Sequence, residues 1–240
     1  MFLIADSLIS GFFNSNFTGR AIVVVQLFGS VLMFATILGK MRSLAFLSMA
    51  TRRFLNDFAS FGGVLECYIA RRPTALTGIE GIYKETCERL LKLLTPDARS
   101  LVAGRDGGLA GAALSAREVE LVRGTCEHAL DEEEIRVESG MGIIATIVAL
   151  EPMLGPLGTV WGVLDAFAEM GTAGSASLAT IAPAISAALV TTVVGLLVAI
   201  PGVLAFNGMT ASIRKITSDI EGFADELMGR VACEFQGRGA

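Results

Sequence analysis

The sequence predicts an all-α membrane protein. Three transmembrane helices are expected, with a large helical loop after the first, a polar C-terminal helix, and assembly into a cyclic oligomer. Three observations lead there. The chain is 52% hydrophobic over 240 residues, with a mean hydropathy of +0.62, too apolar to be solvated as one soluble domain. The apolarity is concentrated in three stretches, each long enough to cross a bilayer core at about 1.5 Å per helical residue. Small residues recur at three- and four-residue steps along the later two, on faces too extensive for a lone three-helix monomer to absorb.

Taken in order, residues 1–19 read as an interfacial segment, with Phe2, Leu3, Leu8, Phe12 and Phe13 to contact lipid. Asp6 and the missing positive n-region do not fit a cleaved signal peptide. The first span, 20–39, contains the uncharged run AIVVVQLFGSVLMFATILG. Residues 40–139 form the large loop, which is helical in pattern. Ile79, Ile82, Tyr83, Leu90, Leu93 and Leu94 keep an apolar stripe up to a Thr95-Pro96-Asp97 turn. The glycine-rich 104–111 is a flexible link. Ser115 followed by Glu118 is a capping box that starts another helix. That helix has Val119, Val122, Cys126 and Leu130 on one face, and is expected to run almost without a break into the second span, 140–166. A short link, 167–177, leads to the third span, 178–206, and a tail, 207–240, whose apolar run to Ile213 predicts a helix continuing beyond the membrane.

Basic residues give the orientation. Lys40, Arg42, Arg52 and Arg53 follow the first span, Arg214 and Lys215 follow the third, and the 167–177 link has neither Lys nor Arg. The positive-inside rule therefore puts the loop and the C-terminus in the cytoplasm, and the N-terminus and the link on the periplasmic side. Arg20 points the other way and is outnumbered.

Composition excludes several classes of chemistry. Cys67, Cys87, Cys126 and Cys233 have no metal-ligand spacing and read as reduced thiols. His128 is the one histidine and lies in a charged helix, so neither a His-cluster metal site nor a nucleophile–base pair is expected. The net charge of −5 comes with no basic block for nucleic acid. No enzymatic activity and no cofactor are expected.

One carboxylate stands out. Glu151 is the single charge between Gly140 and Leu164, and an acid near mid-membrane costs on the order of 2.5–3.5 kcal/mol unless it faces protein, water or an ion route. Gly155, Gly158, Thr159 and Gly162 share its helix face, and Ala188, Thr192, Gly195, Ala199 and Gly202 make the matching face of the third span. Gly155, Gly158, Gly162, Ala188, Gly195 and Ala199 are expected to let the two backbones approach closely. Thr159, Ser186, Thr191 and Thr192 either bond back to their own helix or, with Glu151, line a polar seam. Counting from the span ends puts Glu151 about 16 Å and Thr192 about 21 Å deep from opposite sides. Both then fall near mid-membrane, with Thr159 about 12 Å farther out, level with Ser186. Pro152, Pro156, Pro183 and Pro201 free backbone carbonyls along the same helices.

Two blocks in fixed order carry a family resemblance. The first is Gly155-Pro-Leu-Gly-Thr-Val-Trp-Gly162. The second is Ala182-Pro-Ala-Ile-Ser-Ala-Ala-Leu-Val-Thr-Thr192, followed by Gly195, Ala199-Ile-Pro201 and Asn207. With their spacing, the chain length and the three-span layout, these resemble the TolQ/ExbB family of proton-channel subunits, distantly related to the flagellar stator protein MotA. The resemblance implies a homopentamer in the bacterial inner membrane around helices of a single-span TolR/ExbD-type partner, whose intramembrane Asp carries protons. Ion flow would energise envelope processes through a TolA- or TonB-type protein, and the family's two pore threonines fall on Thr159 and Thr192. One departure is plain: where the family usually has a Glu, this chain has Ala187.

Two readings of Glu151 stay open. It replaces the missing acid from the neighbouring helix, or it is a neutral packing group. Ion-pathway candidates are accordingly Thr159, Thr192, Glu151 and Ser186. The alternatives to a proton-channel subunit are a non-conducting scaffold, motivated by Ala187, and a MotA-like stator component. The stator reading expects two close-set spans before the loop, and only one is present.

Overall fold

The computed structural model describes residues 17–71, 73, 77–94, 113–173 and 178–235. Among these the regular elements are six α-helices: α1 (Phe17–Ala59), α2 (Val64–Arg71), α3 (Gly78–Leu93), α4 (Ala116–Glu138), α5 (Met141–Ala173) and α6 (Leu178–Phe235). The turn at 95–97, the link at 104–111 and nearly all of the N-terminal interfacial segment lie outside the described residues. Three helical stretches are long and apolar enough to cross a membrane, beginning at Phe17, Ala116 and Ile181.

Local chemistry explains the boundaries. After α1 the chain turns through Ser60–Gly63, where Glu66 Oε2 accepts the N–H groups of Gly62 and Gly63 at 3.1 and 3.2 Å. At α4 the capping box is complete: Ser115 Oγ accepts from the Glu118 N–H at 3.3 Å, and the Glu118 carboxylate accepts from the Ser115 N–H at 2.8 Å. These bonds hold the Glu118 carboxyl below its usual range. Between α4 and α5 lie only Ser139 and Gly140, and Gly140 sits at φ +81°, in the left-handed region that a β-carbon disfavours. The helix expected to run almost without a break into the second span is interrupted there by this two-residue joint alone. Helix α5 persists to Ala173, through the first seven residues of the 167–177 stretch. Gly171 excepted, residues 167–173 contain nothing that breaks a helix.

The chain divides into two compact units, 1–41 with 140–210 and 42–139 with 211–240. The first holds the three apolar runs and is called the spanning unit. Its interior is built from Val23, Met33, Ile37, Ile144, Ala187, Ala188, Val198 and Ala199, together with the polar Gln26, Glu151 and Thr191. Phe28, Val31, Leu164 and Leu204 are exposed, as fits helices that face lipid or another subunit.

The second, polar unit has an aromatic core. Phe58 meets the ring of Phe223 edge-on at 5.1 Å and that of Tyr83 at 5.5 Å, while Phe54 meets Phe223 at 5.6 Å. The Tyr83 hydroxyl donates to the Val64 carbonyl. Arg230 covers the Phe58 ring at 4.6 Å and donates to the Phe61 carbonyl at 3.1 Å. Cys67, Cys87 and Cys126 are buried thiols outside any disulfide, and burial pushes the Cys87 and Cys126 thiols up, away from thiolate character. His128 is exposed, 3.5 Å from Glu132 on its own helix.

Candidate ion pathway

The seam between α5 and α6 is made by what the glycines lack. A β-carbon on Gly155 would lie 2.8 Å from the Thr192 Cα. One on Gly158 would lie 2.5 Å from the Thr191 hydroxyl, and one on Gly162 would lie 2.6 Å from the Ala188 Cβ. Contacts this short need glycine on one side, so the two backbones touch along about two turns of helix. At the next step Gly195 approaches the Glu151 carbonyl, where a β-carbon would lie 2.5 Å from the oxygen. Gly202 faces side chains of both neighbours, Met33 of the first span and Val148 of α5.

Close approach brings hydroxyls onto carbonyls. Thr191 Oγ1 donates in a shared bond to the Gly155 carbonyl across the seam at 3.0 Å and to its own Ala188 carbonyl at 2.7 Å. Thr159 Oγ1 lies 3.1 Å from the Gly155 carbonyl and 2.6 Å from Thr192 Oγ1. Thr159 and Thr192 are half-buried, so their hydroxyl pair sits at the open edge of the seam, whereas Thr191 is closed within it. A hydroxyl can donate and accept, so this pair can relay a hydrogen bond to water or to a partner's carboxyl.

The structure corrects the depth count. Thr192 stands opposite Thr159, not level with Glu151, and Gly195 is what faces Glu151. Counting from the ends of an apolar run assumes where the membrane cuts each helix. The observed offset is set by where backbones can touch. Ser186 lies on the exposed surface of α6 and Ala187 is buried. The four pathway candidates therefore separate into a hydroxyl pair at the seam's edge, an exposed serine, and a carboxyl on the far side.

That carboxyl is Glu151, 2% exposed. Its backbone carbonyl joins the seam, but its side chain turns to the first span: a β-carbon on Gly29 would lie 2.5 Å from Glu151 Oε1. Beside it, Gln26 Nε2 donates to the Thr191 carbonyl at 3.1 Å, and to the Glu151 carbonyl at 3.5 Å. Gln26 and Gly29 are parts of this cluster that a reading of the later spans alone leaves out. The available signal for Gln26 was its being the one amide in residues 21–39. Among the described residues no group of three or more His, Cys, Asp or Glu side chains is placed to hold a metal ion.

Comparison with known proteins adds an independent line. Residues 97–222 match the MotA/TolQ/ExbB proton channel family, a stretch spanning more than half of the chain. The chain is similar to the Tol-Pal system protein TolQ of Haemophilus influenzae, with 29% identity over 225 residues and 90% of each chain covered. It is also similar to the biopolymer transport protein ExbB of Xanthomonas campestris pv. campestris, with 32% identity covering 65% of this chain and 62% of that one. A shorter match to the TolQ of Pseudomonas aeruginosa reaches 39% identity over 41% of this chain and 43% of the other.

Proposed function

The chain belongs to the MotA/TolQ/ExbB proton channel family, and from that premise we propose that it is the ring-forming subunit of an inner-membrane motor. In this reading several copies, five by family resemblance, enclose the helices of a single-span TolR/ExbD-type partner with an intramembrane Asp. Protons moving down their gradient through that interface drive an envelope process through a TolA- or TonB-type protein. The loop and the C-terminal helix lie in the cytoplasm and the N-terminus in the periplasm, an orientation supported by Lys40, Arg42, Arg52, Arg53, Arg214 and Lys215. The chain does no bond-making chemistry and works without a cofactor.

The observation that carries the reading is the Thr159–Thr192 hydroxyl pair, 2.6 Å apart at the open edge of a glycine-lined seam. A partner carboxyl brought to that edge meets two groups able to hold it in either protonation state, or to hold a water between. Ser186, exposed about 9 Å along α6, offers a further hydroxyl outside the seam. Glu151 lies behind it as the acid of this chain's own that serves the route.

Thr192→Val keeps the shape and removes the hydroxyl. The variant is expected to assemble normally with the partner and to lose at least tenfold in proton uptake by liposomes containing the two-component complex. Wild-type uptake would overturn the role of the pair. Ala187, buried and without an acid, favours the rival reading of a non-conducting scaffold. Absence of uptake in the wild-type complex, with assembly intact, would select that rival.

A further inference from the structure

The contact of α1, α5 and α6 contains two buried polar atoms whose needs are complementary. Gln26 is fully buried and Glu151 nearly so. Gln26 Oε1 and Glu151 Oε2 have no hydrogen-bond partner among the described residues. The amide orientation is fixed by its surroundings: Nε2 faces the carbonyls of Thr191 and Glu151, and turning the amide over would set oxygen against oxygen. Gln26 Oε1 is therefore an acceptor without a donor.

An ionised Glu151 can only accept, so as a carboxylate it leaves both atoms unsatisfied. It would do so with no counter-charge, because residues 21–39, 141–164 and 178–213 contain no Asp, Glu, Lys, Arg, His, Cys or Tyr apart from Glu151 itself. A neutral carboxyl gains one O–H donor, and Gln26 Oε1 is the unfilled acceptor in the same cluster. A metal cation is a poorer occupant, since the amide N–H groups point into the carbonyl cluster that would have to bind it.

We propose that Gln26 and Glu151 form a proton-binding site inside the subunit, filled when the Glu151 carboxyl donates to the Gln26 amide oxygen and so ties α1 to α5. Gln26 is the positioning residue of the site: its nitrogen anchors it on α6, and its oxygen receives the acid. Gly29 provides the room, because any side chain there would displace the carboxyl. The ligand is a proton alone. On release it passes from Oε2 to water, and the carboxylate left behind repels the Gln26 oxygen and loosens the tie. That the ion route uses this site rests on the function proposed above; that the site binds a proton does not.

Infrared difference spectroscopy on the full chain in lipid nanodiscs tests the binding directly. At neutral pH the wild type is expected to show a protonated-carboxyl C=O band that is lost in Glu151→Gln. In Gln26→Leu the band should persist but shift to higher wavenumber, as for an acid that donates to nothing. Absence of a Glu151 band in the wild type, or an unshifted band in Gln26→Leu, would overturn the proposal. The chain has only two glutamines, Gln26 and Gln236. Isotope-labelled glutamine in a Gln236→Asn background therefore reads the same bond without altering the site. Raising the pH should move the Gln26 amide band together with loss of the acid band, and independent behaviour of the two would also refute the link. Liposome proton uptake separates the two ideas. Uptake unchanged in Glu151→Gln, with the bands as expected, leaves a proton site the route does not use. Missing bands with uptake still dependent on Thr192 leave the route standing without this site.

Discussion

The two units of this molecule solve the packing problem with opposite means. The polar unit fills its interior with large side chains, Phe54, Phe58, Tyr83, Phe223 and Leu227, and buries one carboxylate, Glu133, paired with Arg136. The spanning unit does the reverse at its centre. It removes side chains at Gly155, Gly158 and Gly195, and closes the gap with hydroxyl–carbonyl and amide–carbonyl bonds. The difference follows from the solvent. In water, burying apolar area is worth about 25 cal/mol per Å², so bulk is the stabilising currency. In lipid the surroundings are as apolar as leucine, and close backbone contact and side-chain hydrogen bonds between helices are what distinguish a packed pair from a separated one.

The contrast should be sharpest in the aromatic core. Phe58→Ala removes a ring in contact with Phe54, Tyr83, Phe223 and Arg230, and is expected to destabilise the polar unit by about 3–5 kcal/mol. Loss of the cooperative thermal transition in detergent, or of folded protein recovered from the membrane, would register it. A change under about 1 kcal/mol would mean that this core is not what holds the unit.

Next comes the seam. At Gly155 even one methyl group meets the backbone of Thr192, so Gly155→Ala is expected to cost about 1–3 kcal/mol through forced separation of α5 and α6. A lowered midpoint of unfolding in mixed detergent, with lost oligomer on gel filtration, would show this. A neutral Gly155→Ala would break the claim that the seam depends on backbone contact.

The same substitution in the polar unit should have the opposite sign. Gly222, exposed on α6, has nothing within 4 Å of where its β-carbon would stand. Gly222→Ala is expected to stabilise by about 0.5–1 kcal/mol through helix propensity alone. A thermal melt a few degrees higher would bear this out, and a lower one would mean that another surface covers this face.

How much of this was legible in the chain differs from place to place. The capping box at Ser115 and Glu118 was readable because it is local: four residues contain every atom involved. The glycine faces of α5 and α6 were readable because helical periodicity puts residues three and four apart on one side. The joint at Gly140 was half readable, since a glycine after a serine permits a left-handed turn but does not require one. The first span's share in the central cluster is not legible in the chain. Gln26 and Glu151 are 125 residues apart, and no periodicity relates one helix to another.

By itself, the sequence determined that three apolar helices are joined by a helical polar part, which faces of the later two are small, and which side chains could make them polar. Family membership came with those same blocks of residues. Only the tertiary structure decided the axial offset of α5 against α6, which paired Thr159 with Thr192 and set Gly195 against Glu151. It also decided that the Glu151 carboxyl turns toward Gly29 and Gln26 and away from the hydroxyl pair. The reason is geometric. A repeat of about 3.6 residues fixes the face a helix presents, but says nothing about how far it slides along its neighbour. In an apolar solvent that sliding stops where glycines let backbones touch and where buried donors find acceptors.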